Sequence, residues 1–364
     1  MIKRVKIYGA GSIGNHLANA SRSLGYDVVI CDIDEDALKR TKNDIYPKRY
    51  GAWDEDIKLY RVGKEPVGGF DLIIIGTPPD THLKIALDVL KEVPKAILVE
   101  KPLCGPDLNN AKYFYEECIN KGVRAFVGYD HLVGESTNKA REIMSANIDQ
   151  KIETLDVEFR EYWGGIFDAH HWLKGPSESY LGYSSKGGGA TGEHSHAINL
   201  WQNFSHHLGQ GKIISVNSQI KRINDGSVDY DSISCMNFKT ETGFIGRCVQ
   251  DVVTFPPKKY ARIQFSKGYL EWHCNSEPGK DKILYNFNNE LESSLSFSKT
   301  RPEDFILELK HIDRVLDNDS IISPINIKNG FETMLVIAAV YKSGYLKKTI
   351  NIDYDKGFNL EALT

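Results

Sequence analysis

Over its first 125 residues the chain alternates short, continuously apolar runs with stretches of helical spacing. VKIYGA (5–10), DVVICD (27–32), FDLIIIGT (70–77), KAILVEKP (95–102) and RAFVGYD (124–130) read as strands. Helices are predicted to about Leu24, from Glu35, over HLKIALDVLKEV (82–93), and over AKYFYEECINKG (111–122), which ends on a glycine. Strands whose apolar residues run on without alternating are buried on both faces, as in a parallel sheet covered by helices. Strand–helix alternation of this kind builds βαβ units.

Beyond about residue 130 the texture changes. A helix over 134–147 is followed by KIETLDVEFREYW (151–163), which alternates like a half-exposed strand, and then by a Gly- and aromatic-rich loop over 164–189. A helical stretch from about Glu193 to Leu208 precedes several period-2 runs: KIISVNSQIKRI, DSISCMNFKT, GFIGRCVQDVVTF, YARIQFSKGYLEWHC and DKILYNFNN. Alternation predicts antiparallel strands with one face covered. Helices return at FILELKHIDRVLDN (305–318) and GFETMLVIAAVYKSGYLKK (330–348). The expected fold class is α/β: an N-terminal doubly wound parallel sheet over 1–125, then an α/β domain over 126–364 with a large, mostly antiparallel open sheet.

Bulk numbers narrow the function classes. With 364 residues, 41% hydrophobic and 26% charged, the chain suits a soluble two-domain protein. A net charge of −4 favours neither nucleic acid nor an anionic membrane. There is no apolar run of transmembrane length, and MIKRVKIYGAGSIG reads as a first strand entering a glycine turn rather than a signal peptide. The cysteines at 31, 104, 118, 235, 248 and 274 form no C-x-x-C pair, so free thiols in a reducing cytoplasm are expected.

Gly9-Ala10-Gly11-Ser12-Ile13-Gly14 follows a strand and opens a helix, the context a dinucleotide fingerprint requires. Gly9 makes the tight turn, Gly11 lets backbone approach a pyrophosphate, and Gly14 lets the helix pack on the strand. Ser12 and Ile13 belong to the helix start, where free N–H groups and the dipole attract phosphate. Asp32 ends the second strand, placed to accept from an adenosine ribose diol and to repel a 2′-phosphate. NAD is therefore expected over NADP, with Asp34 able to share the role. Thr77, Pro78 and His82 lie in or just after the loop closing the strand FDLIII, on the nicotinamide side of the cofactor, although Asp80 or Thr81 could simply cap the helix there. Glu100-Lys101-Pro102 ends another strand. A lysine there could hold and polarise a substrate oxygen, or be an ordinary surface lysine.

In order, GAGSIG (9–14), TPPDTH (77–82), VEKPL (99–103), VGYDH (127–131), GGGATGEHSHAIN (187–199) and SGYLKKTINID (343–353) resemble the Gfo/Idh/MocA oxidoreductases. That family includes glucose–fructose oxidoreductase and inositol 2-dehydrogenase, and the resemblance spans nearly the whole chain. It implies that Lys101 is catalytic, with Glu100 and Lys101 at the cofactor. It also implies that the outer face of the second sheet joins a homodimer or homotetramer. The family's histidine falls on His196, its later aspartate on Asn199, and its earlier one on Gly192. The departure at Gly192 leaves Glu193, one residue on, or Asn199 to orient the histidine. Some relatives in cell-surface sugar pathways share this G-G-G-x-x-x-E-x-S-H pattern.

Chemistry supports His196 independently, since an imidazole suits proton exchange near neutral pH. On a continuous helix Glu193, His196 and Asn199 share a face. His194 does not, so three or four converging metal ligands are not expected and the site is read as metal-free. Trp163, Trp172, Tyr180 and Tyr183 offer flat faces to a sugar, while Tyr129 and His131 follow the last parallel strand toward the expected substrate crevice. The expected function is NAD(P)-dependent hydride transfer at a hydroxyl or keto carbon of a sugar, cyclitol or nucleotide-linked sugar. Alternatives are a sugar–sugar oxidoreductase or redox-assisted eliminase with tightly held NAD, and a catalytically silent dinucleotide-binding regulator.

Overall fold

The structure, a computed structural model, describes residues 1–288 and 290–364, apart from the side chain at 169. The chain divides into two compact units. The first comprises Met1–Leu103, Asn110–Asp130 and Arg301–Gly330. It contains, in order, β1 (Arg4–Tyr8), α1 (Ser12–Ser23), β2 (Asp27–Asp32), α2 (Glu35–Arg40), α3 (Tyr46–Tyr50), β3 (Lys58–Arg61), β4 (Leu72–Ile75), α4 (Pro79–Val89), β5 (Ala96–Val99), α5 (Ala111–Lys121) and β6 (Arg124–Val127). The strands form one parallel sheet in the order β3-β2-β1-β4-β5-β6, as the apolar runs predict. Every side chain of β4 and β5 is fully buried, worth about 1.5–3 kcal/mol for each large aliphatic residue. The strand order reverses between β1 and β4, and ligands of doubly wound sheets bind at the carboxyl ends of the strands at such a reversal.

Two features of this unit depart from the sequence expectation. β3 is a short edge strand with Lys58 and Arg61 exposed, and so carries no apolar run to reveal it. The unit also extends past 125 to Asp130 and takes in the helix Arg301–Asp317. That helix packs on α1, where the Phe305 ring stacks on His16 at 5.3 Å and 15°.

The second unit comprises Cys104–Asn109, His131–Thr300 and Phe331–Thr364. It contains α6 (Glu135–Ala146), β7 (Ile152–Arg160), α7 (Gly164–Ala169), α8 (Gly189–Glu193), α9 (His196–His207), β8 (Ile213–Asn224), β9 (Asp229–Thr240), β10 (Ile245–Asp251), β11 (Lys258–Phe265), β12 (Gly268–Glu277), β13 (Lys280–Phe287), β14 (Ser293–Ser298) and β15 (Ile350–Asn351). These strands form a nine-stranded sheet in the order β14-β13-β12-β11-β7-β10-β9-β8-β15. β7 and β10 run parallel, and the other pairs are antiparallel. The expected strand DKILYNFNN ends at Phe287, and its last residue lies outside the described ones.

Alternation does its predicted work in β7: Leu155, Val157 and Phe159 point into the core and their neighbours do not. α9 lies over this face. Trp201 is fully buried there and its Nε1–H donates to the Leu155 carbonyl at 3.0 Å. Gly246 makes room for the indole, since a Cβ at that position would stand 3.0 Å from the ring. The six cysteines form no disulfide; Cys235 is exposed and the other five are buried. Among the described residues no helix is long and apolar enough to cross a membrane.

Candidate active site

In the first unit the glycine turn has the conformation its sequence demands. Gly9 has φ +107°, a region open to glycine, and a Cβ there would lie 2.6 Å from the Gly76 carbonyl at the end of β4. A Cβ on Gly14 would lie 1.9 Å from the Gly9 carbonyl, so α1 packs against the turn only because residue 14 has none. Over Gly11, by contrast, a Cβ meets nothing within 4 Å. The turn therefore presents open backbone at the N-terminus of α1, beside partly exposed Ser12 and Ile13, which fits a pyrophosphate. Asp32 ends β2, and its carboxylate accepts from Ala10 N at 2.7 Å and Asp34 N at 2.9 Å. Asp34 instead caps α2, accepting from Asp36 N.

The loops after β4 and β5 are tied together by His82, which is fully buried. Its Nε2 lies 2.6 Å from the Thr77 carbonyl and its Nδ1 3.2 Å from the Pro102 carbonyl. A doubly protonated ring would donate to both, but burial pushes its pKa down to about 4. The shorter contact then marks Nε2 as the protonated nitrogen. Thr77 and Thr81 share a 2.7 Å hydroxyl contact, and Thr81 Oγ1 donates to the Pro78 carbonyl. His82 thus braces the loop that carries Thr77 and Pro78, and the Lys101–Pro102 segment with it.

Lys101 is partly exposed just past β5, whereas its neighbour Glu100 is buried and accepts from Lys101 N at 3.3 Å. The Glu100 carboxyl lies against the backbone of β6's end: a Cβ on Gly128 would be 2.7 Å from Glu100 Oε1. Glu308, on the helix Arg301–Asp317, is fully buried with neither carboxyl oxygen hydrogen-bonded. Burial first, then repulsion by Asp130 for Glu100 and by Glu100 and Asp130 for Glu308, holds both glutamates well above the usual carboxyl range. A folded-state pKa raised in this way contributes stability at low pH that is lost as pH rises above the unfolded carboxyl value. Glu308→Gln is therefore expected to raise the melting temperature by several degrees near pH 9 and by much less near pH 5, as calorimetry at the two pH values would measure. Equal shifts at both would mean that the pair is not a source of alkaline instability.

In the second unit the stretch carrying the histidines is not one helix. α8 ends at Glu193, and α9 begins at His196. The expected shared face of 192, 193, 196 and 199 is broken at His194–Ser195, because the short, glycine-rich α8 does not continue its axis into α9. No side chain fits at 192, where a Cβ would stand 2.1 Å from the Gly187 carbonyl. Glu193 accepts from the Tyr180 hydroxyl at 3.2 Å. Asn199 is buried and donates to Thr333 Oγ1 at 2.9 Å, which passes the bond on to Gln202. His196 sits at the first position of α9, partly exposed, stacked on Phe159 and edge-on to His131.

The aromatic wall separates into different duties. Trp163 is 6% exposed and belongs to a small core cluster with Leu181, Ala190 and Val252. Trp172 is half-buried, with His170 and His171 against its ring. Tyr183 donates to the Ser227 carbonyl. Tyr129 is 1% exposed in the first unit. The other histidines are engaged separately: His170 with the Ile166 carbonyl, His206 near Glu332, and His207 with Ser145 and the Arg141 carbonyl.

Residues 3–129 match the family described as "Oxidoreductase family, NAD-binding Rossmann fold", the Gfo/Idh/MocA family. The matched segment holds the whole parallel sheet, β1 to β6. No curated protein matches the chain. Solved structures similar in fold include an oxidoreductase from Agrobacterium radiobacter in complex with NAD+, L-tartaric acid and magnesium (15% identity, 96% of this chain and 98% of that one, TM-score 0.76). A levoglucosan dehydrogenase in complex with NADH gives the same figures. The WlbA dehydrogenase from Bordetella pertussis, in complex with NADH and UDP-GlcNAcA, is 18% identical over 97% of this chain and 99% of that one, with TM-score 0.70.

Three features of the candidate site were not legible in the sequence. Arg49, on α3, donates from both guanidinium nitrogens to Ser12, to its carbonyl at 2.9 Å and its hydroxyl at 2.8 Å, adding positive charge where α1 opens. Thr41 braces the same turn from below, donating to the Ala10 carbonyl at 2.7 Å. Both come from the irregular stretch after Arg40, which has no apolar period to place it. Asp231, on β9, accepts from Ser184 Oγ, Thr191 N, Thr191 Oγ1 and Tyr341 Oη, and a Cβ on Gly189 (φ +74°) would lie 2.0 Å from its Oδ1. The glycine-rich α8 thus rests on one buried carboxylate, hidden in the sequence as one polar position of a period-2 run.

Proposed function

We propose that the protein is an NAD-dependent dehydrogenase or reductase that acts on a CH–OH carbon of a sugar, cyclitol or nucleotide-linked sugar, and that Lys101 and His196 carry the proton and charge work. The observation that carries this reading is the place of Lys101, at the end of β5 and two strands from the glycine turn, on a loop held by His82. NAD, when bound, accepts a hydride at the nicotinamide. Open backbone over Gly11, the N–H groups of α1 and Arg49 would hold its pyrophosphate, and Asp32 its adenosine ribose. In oxidation His196 takes the hydroxyl proton, and Lys101 orients the oxygen and stabilises its developing charge. In reduction the ammonium of Lys101 polarises the carbonyl and His196 returns the proton. Tyr180 and Trp172 supply apolar faces to the ring of the substrate, and assembly as a homodimer or homotetramer uses the exposed face of the nine-stranded sheet.

A panel of sugars, cyclitols and nucleotide sugars, scored by NADH absorbance with NAD+ and NADP+ side by side, tests the reading. Turnover with NAD+ on at least one member is expected, with NADP+ at least about tenfold poorer in kcat/KM because the Asp32 carboxylate would face a 2′-phosphate. Asp32→Ala should narrow that gap, mostly through a higher KM for NAD+. An unchanged preference in the variant would take the ribose role away from Asp32.

A further inference from the structure

Two guanidinium groups of the first unit stand at the heads of neighbouring helices, and among the described residues neither has an ion pair with a carboxylate. Arg49 is half-buried and donates to the Ser12 carbonyl and hydroxyl where α1 opens. A guanidinium carries five N–H donors, so most of those on Arg49 are left over. Arg301 opens the helix Arg301–Asp317, is exposed, and lies over the Phe305 ring at 5.5 Å. Of the acidic residues in that first turn, Glu303 is exposed and Asp304 bears on Glu308.

The helix Arg301–Asp317 lies along α1 and runs the same way. Near their heads, Phe305 stacks on His16. Toward its foot, Asp313 accepts from Ile2 N at 2.6 Å and Asp317 from the Met1 amino group at 2.8 Å. Both donors precede β1, at the end of the parallel sheet opposite the glycine turn. Arg301 therefore heads its helix at the carboxyl end of the strands, as Ser12 does, and ligands of such sheets bind at that end. Its charge is felt there. Burial pushes Arg49 below the usual guanidinium range, Tyr50 opposes the shift, and the like charge of Arg301 adds to it. Arg301 also favours the charged form of Glu100 at the end of β5, although burial outweighs this.

We infer that Arg301 is a second arm of the pyrophosphate site, so that the diphosphate of the dinucleotide is the shared counter-ion of Arg49 on α1 and of Arg301 on the parallel helix beside it. Open backbone over Gly11 admits the diphosphate, and both helix heads turn the positive ends of their dipoles toward it. Without a diphosphate the two like charges repel, so Arg301 does not hold the fold together. With one, a helix from far along the chain is fastened to the glycine turn. This rests on the dinucleotide-binding part of the proposed function and not on the substrate.

The test uses the full chain as wild type, Arg301→Gln, Arg301→Lys and Lys310→Gln, the last removing an exposed charge further along the same helix. Titration calorimetry gives the dissociation constants of NAD+ and of ADP-ribose, which has the same diphosphate and no nicotinamide. Arg301→Gln is expected to weaken both ligands alike, by about five- to tenfold. Arg301→Lys should recover much of that loss, and Lys310→Gln should stay within about twofold of wild type. Raising the salt concentration should weaken ADP-ribose binding less in Arg301→Gln than in wild type. The melting temperature of the ligand-free Arg301→Gln protein should equal or exceed that of wild type, while its rise with saturating ADP-ribose should be smaller. Binding of both ligands by Arg301→Gln within about twofold of wild type overturns the inference. So does a loss for NAD+ alone, an equal loss in Lys310→Gln, or a lower melting temperature of the ligand-free variant. Wild-type protein that binds neither ligand overturns the dinucleotide-binding reading instead.

Discussion

His196→Ala is expected to lower kcat by about 10²–10⁴-fold, the usual worth of a positioned general base, while the dissociation constant for NAD+ stays within about twofold of wild type. The separation of the two effects follows from the fold. His196 opens α9 in the second unit, whereas the glycine turn, Asp32 and Arg49 belong to the first. The substitution should also cost little stability, because the imidazole is only partly buried and the anchor of α9 is Trp201 over β7, not the histidine. Calorimetry, cofactor titration and steady-state kinetics on one preparation would check all three statements. Turnover at the wild-type rate would remove His196 from the role of base.

Lys101→Met is the second large effect. The side chain keeps its length but loses the ammonium, so the developing charge on the reacting oxygen loses its donor. Removing one such preorganised group typically costs about 10²–10³-fold in kcat. The loss should fall on kcat and kcat/KM together, since the interaction is stronger in the transition state than in the ground state. A rise in KM alone would recast Lys101 as a residue that merely binds substrate. The backbone on either side of Lys101 is held by the Glu100 carboxyl and by His82, so the variant should fold, although the buried Glu100 loses a favourable charge beside it.

The parallel sheet was legible because its strands are buried on both faces: a run such as FDLIII leaves no other reading. The glycine turn was legible because each glycine meets a separate steric demand. β3 and Arg49 were not, because an exposed edge strand and an irregular segment obey no period. The histidine segment shows a subtler limit. Helical spacing predicted one face through 192, 193, 196 and 199, but the chain breaks its axis after Glu193, and the partner in ring contact with His196 comes instead from His131, sixty-five residues earlier. Pattern along the chain reports local geometry well, and reports which distant residue closes on a site only when the fold is in hand. Trp163 makes the same point from the other side, since an aromatic in a glycine-rich loop suits substrate contact but here joins a core cluster.

The buried carboxylate of Asp231 has a consequence for how this protein could change over time. It grips α8 from the side of β9, through Thr191 and Ser184, and through Tyr341. The segment before Ser184 touches α8 as well, through the Tyr180 hydroxyl on Glu193 and through Leu181 against Ala190, whereas Trp172 has its ring contacts with His170 and His171. Lineages could therefore rewrite the stretch around Trp172 while keeping Tyr180, Leu181 and the Asp231 anchor, and so inherit α8 unchanged.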